Sequence, residues 1–282
     1  MFGVSFQQRY YDAGGVPTRV LEAGDGPETV VLLHGSGGHA EAYVRNIGPL
    51  AEHFRVLAVD MLGHGLTGKP DRPYEIPAYV EHLRDVLDAV GADRAHLSGE
   101  SLGGWVAAQF AVDHPDRVNR LILNTAGGLS SYPEVMKRFS ELSRAAVRNP
   151  DRDGVRKRLQ FLMLDPANVP EDLVEMRYLI YKQPGFEQAM DRILCLQEMP
   201  IRERNLLKES DLQRVTAPTL VVWTTHDPTA PVEIGQKFAD AIPDARLEVM
   251  KDCGHWPQFE DAETFNRLAI AHLTGAETAG TA

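Results

Sequence analysis

The stretch from Arg94 to Ala111 limits the fold more than any other part of the chain. A short apolar strand pattern runs into Gly99-Glu100-Ser101-Leu102-Gly103, and a helix pattern follows. This is G-x-S-x-G, a sharp strand-to-helix reversal that presents a serine at the top of a sheet. The reversal brings backbone segments together, and a side chain at either glycine would obstruct it. The serine also stands at a helix N-terminus, where N–H groups and the helix dipole favour negative charge. A five-residue pattern occurs by chance, so the rest of the chain must decide between a nucleophile and an ordinary turn.

The rest of the chain supplies a matching frame. Thr29–Leu33 and Arg55–Asp60 are continuous apolar, β-branched runs, the pattern of strands buried on both faces. Val16–Leu21, Val118–Asn124, Thr219–Trp223 and Arg246–Met250 read as further strands. Helix patterns fall between them, over Tyr43–His53, over Ala78–Val90, from the elbow to about His114, and over Ala262–Leu273. Tyr79, Leu83, Val86, Leu87 and Val90 form one apolar stripe on the second of these. Alternation of this kind predicts an α/β fold with a mostly parallel central sheet flanked by helices.

The rhythm breaks after Asn124. From about Tyr132 to Lys208 only helix-like patterns occur, cut at Pro150, Pro166, Pro170, Pro184 and Pro200. The segment reads as a helical cap inserted between two sheet strands. Residues 1–130 and 211–282 then form the core, and 131–210 the cap. Thr274–Ala282 is small and polar, and is expected to fray.

Composition excludes several function classes. The 282 residues suit one large domain with an insertion. A formal net charge of -11 argues against binding to nucleic acid or to an anionic membrane surface. Cys195 and Cys253 make neither a metal site nor a disulfide framework, and no metal or organic cofactor is expected. Met1–Tyr11 lacks the apolar run of a secretory signal, and no segment has the length and apolarity of a membrane span. A reducing cytoplasm is the expected location.

Three reactive residues lie just past strand ends, where open parallel sheets gather ligands. Ser101 follows the strand that reaches Ser98, Asp227 the one that ends at Trp223, and His255 the one that ends at Met250. A serine hydroxyl needs a base, histidine titrates in the useful range, and the histidine needs a carboxylate to fix its tautomer. Alone, Asp227 could be a turn residue and His255 a surface residue; their joint placement with Ser101 favours a catalytic triad. The Leu102 N–H and the loop near Ser36 and Gly37 are the candidate oxyanion donors. Cys253, beside Gly254-His255, is the weaker nucleophile because Ser101 has the better turn. A rival pattern exists as well. Gly35-Ser-Gly37-Gly-His-Ala40, with Asp60 ending the next strand, imitates a dinucleotide fingerprint. It would leave the elbow, Asp227 and His255 unexplained.

With these residues the chain resembles the α/β-hydrolase superfamily over nearly its full length. The resemblance is carried by His34-Gly-Ser-Gly37, the elbow at Ser101, His114-Pro-Asp-Arg-Val118, Asp227 and Gly254-His255. The run Cys253-Gly-His-Trp-Pro-Gln-Phe-Glu-Asp-Ala-Glu-Thr-Phe-Asn-Arg267 is similar to the meta-cleavage-product hydrolases. The resemblance implies hydrolysis of a carbon–carbon bond in vinylogous 1,5-diketones made by ring-cleaving dioxygenases. It implies Ser101, Asp227 and His255 as the triad, Arg177 of the cap as the holder of the substrate carboxylate, and Trp256 as a pocket wall. A small-molecule substrate and a homo-oligomer follow from it too. The chain departs from that group at Glu100, where asparagine is common, and near Ala42. Glu100 reads as a buried or half-buried carboxylate bonded to neighbouring backbone, in preference to a catalytic role. Ester or lactone hydrolysis with the same triad, and a non-catalytic small-molecule receptor, are the alternatives.

Overall fold

The computed structural model describes residues 4–276. Residues 277–282, most of the tail expected to fray, lie outside the described residues, as do residues 1–3 at the start of the stretch read for a signal.

Eight strands form one sheet: β1 (Phe6–Ala13), β2 (Val16–Ala23), β3 (Thr29–Leu33), β4 (Arg55–Val59), β5 (Ala95–Glu100), β6 (Val118–Asn124), β7 (Thr219–Thr224) and β8 (Ala245–Met250). Their spatial order is β1-β2-β4-β3-β5-β6-β7-β8. Pairing is antiparallel at β1/β2 and β2/β4 and parallel from β4 to β8. Every residue of β5 and β7 is buried, because helices cover both faces of the sheet and apolar runs fill both sides.

Two apolar cores result, one on each face. Leu33, Leu97, Val106 and Leu121 belong to one, with the apolar stripe of the helix Ile76–Ala89. Leu32, Ile122 and Leu220 belong to the other, with Phe265 and Leu268 of the helix Ala262–Leu273. Alternate side chains of each strand point to opposite faces, and this divides them between the cores.

One element differs from expectation. The helix expected over Tyr43–His53 is a 3-10 turn at Ala40–Tyr43 and a short helix at Ile47–Ala51. Between β6 and β7 the chain forms only helices and turns, from Pro133 to Leu212. Among the described residues no helix is long and apolar enough to cross a membrane.

Candidate active site

The elbow is built from backbone strain. Ser101 has φ 55° and ψ -113°, outside the regions an L-residue ordinarily occupies. Strain of this kind costs about 1–3 kcal/mol and persists only where the surroundings hold it. They do so here. The Ser101 N–H donates to Asn124 O at 3.0 Å, and its carbonyl accepts from the N–H groups of Trp105 and Gly127, each at 3.0 Å. A Cβ at Gly99 would strike the backbone of Gly103, and one at Gly103 would strike the carbonyl of Leu33. Glycine at both positions lets the helix Leu102–Asp113 leave the strand so sharply.

Asp227 and His255 reach the same sheet edge from β7 and β8. His255 Nδ1 lies 3.0 Å from both carboxylate oxygens of Asp227. Asp227 Oδ1 also accepts from the backbone N–H and the hydroxyl of Thr229, both at 2.8 Å. The ring therefore carries its Nδ1 hydrogen toward the carboxylate and turns Nε2 to the interior. Burial alone would lower the His255 pKa, but Asp227 and then Glu100 outweigh it, and the imidazole is held above its ordinary value. Its loop is fixed from below. Thr125 Oγ1 donates to the His255 carbonyl at 3.0 Å, and Thr224 Oγ1 to that of Gly254 at 2.7 Å.

Ser101, Leu102, Ser36, His255, Trp105 and Arg202 are among the residues lining a cavity of about 90 Å³. Among the described residues the N–H groups of Leu102, Ser36 and Gly37 carry no hydrogen bond, as an oxyanion site requires. Gly37 is not in the cavity lining; the inserted helices cover it, with Tyr181 donating to its carbonyl at 2.9 Å. His34 holds this loop. Its Nδ1 bonds to Gly35 O at 2.8 Å, and its Nε2 accepts from Met61 N–H at 3.1 Å. Burial keeps the ring neutral, with its pKa pulled down to about 3.

The residues expected to bind substrate lie deeper. Arg177, on the helix Glu171–Tyr181, is fully buried, and none of its three guanidinium nitrogens has a partner. Its guanidinium stands 5.3 Å from the ring of Trp256, which is buried with its Nε1 unpartnered. Neither residue lines the cavity beside Ser101. Sequence patterns do not single out a second cation, Arg158. It shares the buried stripe of the helix Arg152–Gln160 with Val155 and Leu159, and an arginine in such a stripe was the available signal. Its Nη2 donates to Ser36 O at 3.2 Å, its Nε to Ser143 Oγ at 2.9 Å, and burial pulls its pKa down to about 10.

Glu100 partly meets its expectation. It is fully buried with its carboxylate against the Gly35 backbone, which pulls its pKa down against the rise from burial, but neither oxygen has a hydrogen-bond partner of good geometry. The strand ends two residues later than expected, so Glu100 is its last position and its carboxylate meets Gly35 and the histidine. Oε1 lies 3.3 Å from His255 Nε2, and among the described residues no hydrogen bond joins Ser101 Oγ to that nitrogen. Burial raises the Glu100 pKa against the pull of His255, the Gly35 backbone and Arg177.

Two rival readings fall. The Cys253 thiol is buried, and burial pushes its pKa up to about 12, so almost no thiolate exists near neutrality. The glycine loop at Gly35 leads into a 3-10 turn at Ala40 rather than an α-helix N-terminus. Asp60 spends its carboxylate on Ala40 N–H, Leu66 N–H and Arg19. Among the described residues no group of three or more His, Cys, Asp or Glu side chains is placed to hold a metal ion.

A serine elbow after β5, a histidine–aspartate pair from the ends of β7 and β8 and free N–H groups at Leu102 and the Ser36 loop define a serine hydrolase of α/β architecture. Comparison with known proteins agrees. The α/β-hydrolase fold family matches residues 28–262. The 2-hydroxy-6-oxo-6-(2'-aminophenyl)hexa-2,4-dienoic acid hydrolase of Metapseudomonas resinovorans is 33% identical over 96% of this chain and 92% of its own. The 2-hydroxy-6-oxo-6-phenylhexa-2,4-dienoate hydrolase of Comamonas testosteroni is 34% identical over 89% of each chain. The solved structure of the 2-hydroxy-6-oxo-6-phenylhexa-2,4-dienoate hydrolase of Rhodococcus sp. strain RHA1 superposes with a TM-score of 0.85 at 26% identity, covering 96% of this chain and 99% of that one. The chain belongs to the α/β-hydrolase family, among the meta-cleavage product hydrolases.

Proposed function

We propose that this chain hydrolyses the carbon–carbon bond of 2-hydroxy-6-oxo-dienoates, the vinylogous 1,5-diketones left by oxygenative ring cleavage in the breakdown of aromatic compounds. Arg177 carries the reading. A buried guanidinium with no partner is costly, and the cost is offset when an anion binds beside it. A dienoate brings a carboxylate; a simple ester does not.

In this reading His255 first moves a proton so that the dienol becomes a ketone, and the departing fragment can then leave as a stabilised enolate. Ser101 serves the attack on the C6 carbonyl, either as nucleophile or by orienting water. Asp227 fixes the tautomer of His255 and stabilises its charged form. The Leu102 N–H and the loop at Ser36 and Gly37 receive the developing oxyanion. Arg177 and Trp256 hold the carboxylate end. Residues 131–210 act as a lid that excludes water over a core made of 1–130 and 211–282. A homo-oligomer in the cytoplasm belongs to the same reading, supported by family resemblance.

The test is turnover of a yellow dienol ring-cleavage product beside a short aryl ester. Bleaching of the dienol supports the proposal; ester turnover without bleaching replaces it with an esterase.

A further inference from the structure

Glu100 is a fully buried carboxylate, one residue from the nucleophile, with the Gly35 backbone beside it and no hydrogen bond of good geometry to either oxygen. Its Oε1 stands 3.3 Å from the ring nitrogen of His255 that must serve Ser101. A carboxylate so poorly bonded in such a place is costly unless a proton or a cation compensates it. Other charged or titratable groups act on the pair from several elements. Asp227 holds the far side of the imidazole. Arg177 and Arg158 act from the inserted helices, Tyr43 from the 3-10 turn, and Glu260 from beneath the histidine loop. Of these only His255 comes within ion-pair distance of Glu100.

We propose, building on the carbon–carbon hydrolase reading, that Glu100 is a positioning residue that keeps one proton between its carboxylate and His255 Nε2. The resting site is thereby loaded with the proton that must reach carbon before the bond can break. An ester asks the histidine for a base first. A dienolate asks it for an acid first, and Glu100 sets the histidine in the acid form.

The step balances. The Nε2 proton passes to C5 of the bound dienolate, whose electron pair forms the new C–H bond and leaves a ketone at C2. The imidazole is then neutral and able to take the proton of Ser101 or of water. Water's oxygen bonds to C6, and the C5–C6 bond breaks with its electron pair leaving on the dienolate fragment. That fragment takes the imidazolium proton at its C2 oxygen, and ionisation of the new carboxylic acid then returns one proton to the pair. Both pKa directions agree: burial raises Glu100, and Asp227 and Glu100 hold His255 high despite its own burial.

Wild type and Glu100→Gln are compared on a dienol by stopped-flow absorbance and on an aryl ester, each across the neutral pH range. The variant is expected to lose the dienolate absorbance roughly ten-fold more slowly or worse. Its alkaline limb should move to lower pH, because His255 loses an anionic neighbour. The acid limb of ester hydrolysis should move the same way, so ester turnover rises below neutrality. Unmoved limbs, or a parallel loss of both activities with the limbs fixed, overturn the proposal and mark Glu100 as structural. A wild type that bleaches no dienol defeats the carbon–carbon reading instead, and the ester limb still decides the shared proton. Nitrogen-15 NMR of His255 in the unaltered protein is a second, independent measurement. A ring still protonated above the usual histidine range supports the pair, and a ring neutral at neutral pH overturns it.

Discussion

The backbone N–H of His255 donates to the carbonyl of Leu162 at 2.7 Å, so the histidine loop of the core is hydrogen-bonded directly to the helical insertion. Glu260 repeats the link. Its Oε2 accepts from Leu164 N–H at 2.8 Å, while its Oε1 accepts from Gly254 N–H at 2.9 Å. The position of His255 therefore depends on the seating of the insertion.

Glu260→Ala removes the second clamp and leaves the first. Stability should fall by about 2 kcal/mol, because N–H groups lose a charged acceptor. The rate constant kcat should fall roughly ten-fold through a less fixed His255. Denaturant unfolding and steady-state kinetics check both. Unchanged kcat with the expected loss of stability would show that the clamp does not position the histidine.

Asp227→Asn keeps the shape of the site but reverses what it offers to His255 Nδ1. An amide can present its N–H to the ring and favour the wrong tautomer, with Nε2 protonated. Activity should fall by about 10⁴-fold. The His255 pKa should fall too, because its largest favourable neighbour is gone. Kinetics with proton NMR of the imidazole reads both effects.

Arg177→Met should separate stability from function. Replacing an unpaired buried cation by an apolar chain is expected to stabilise the fold by about 1–4 kcal/mol. The same change should raise KM for a dienoate by at least ten-fold, because the carboxylate loses its cation. Thermal unfolding and a substrate titration test it. A destabilised variant with normal KM would assign Arg177 a structural role.

Five buried histidines held below their ordinary value, His34, His64, His82, His96 and His272, set the acid limit of stability. His34 is pulled down to about 3, and His82 and His272 each to about 4, in every case mainly by burial. Unfolded, each titrates near 6.5. The unfolded chain therefore binds more protons between these values, and stability falls as pH drops through that window. The loss should be on the order of several kcal/mol between about pH 6.5 and 4. Denaturant unfolding at a series of pH values gives the slope. His82→Gln, which can still meet the Thr18 hydroxyl now 2.8 Å from the ring, should flatten it.

The sheet was largely legible in the sequence, because Thr29–Leu33 and Val118–Asn124 are apolar runs with clear ends. β1 was not: Phe6–Ala13 is an exposed edge ribbon without apolar alternation, formed by pairing with β2. The helix expected at Tyr43–His53 was broken by Gly48 and Pro49 inside it, which favour a turn and a short restart. The nearness of Ser101, Asp227 and His255 was legible because each lies just past a strand end. The roles of Arg158, signalled only by its place in an apolar stripe, and of the Glu100 carboxylate were not legible. Their meaning rests on which partners burial denies them, and that is a property of packing.

Carbon–carbon hydrolysis by Ser101 is tested head-on by product analysis on a 2-hydroxy-6-oxo-hexa-2,4-dienoate, followed by NMR and repeated with Ser101→Ala. Each dienol consumed should give one 2-hydroxypenta-2,4-dienoate and one carboxylic acid, with the variant slower by at least 10³-fold. A dienol left intact while an aryl ester is cleaved, or a Ser101→Ala chain as fast as wild type, would contradict it.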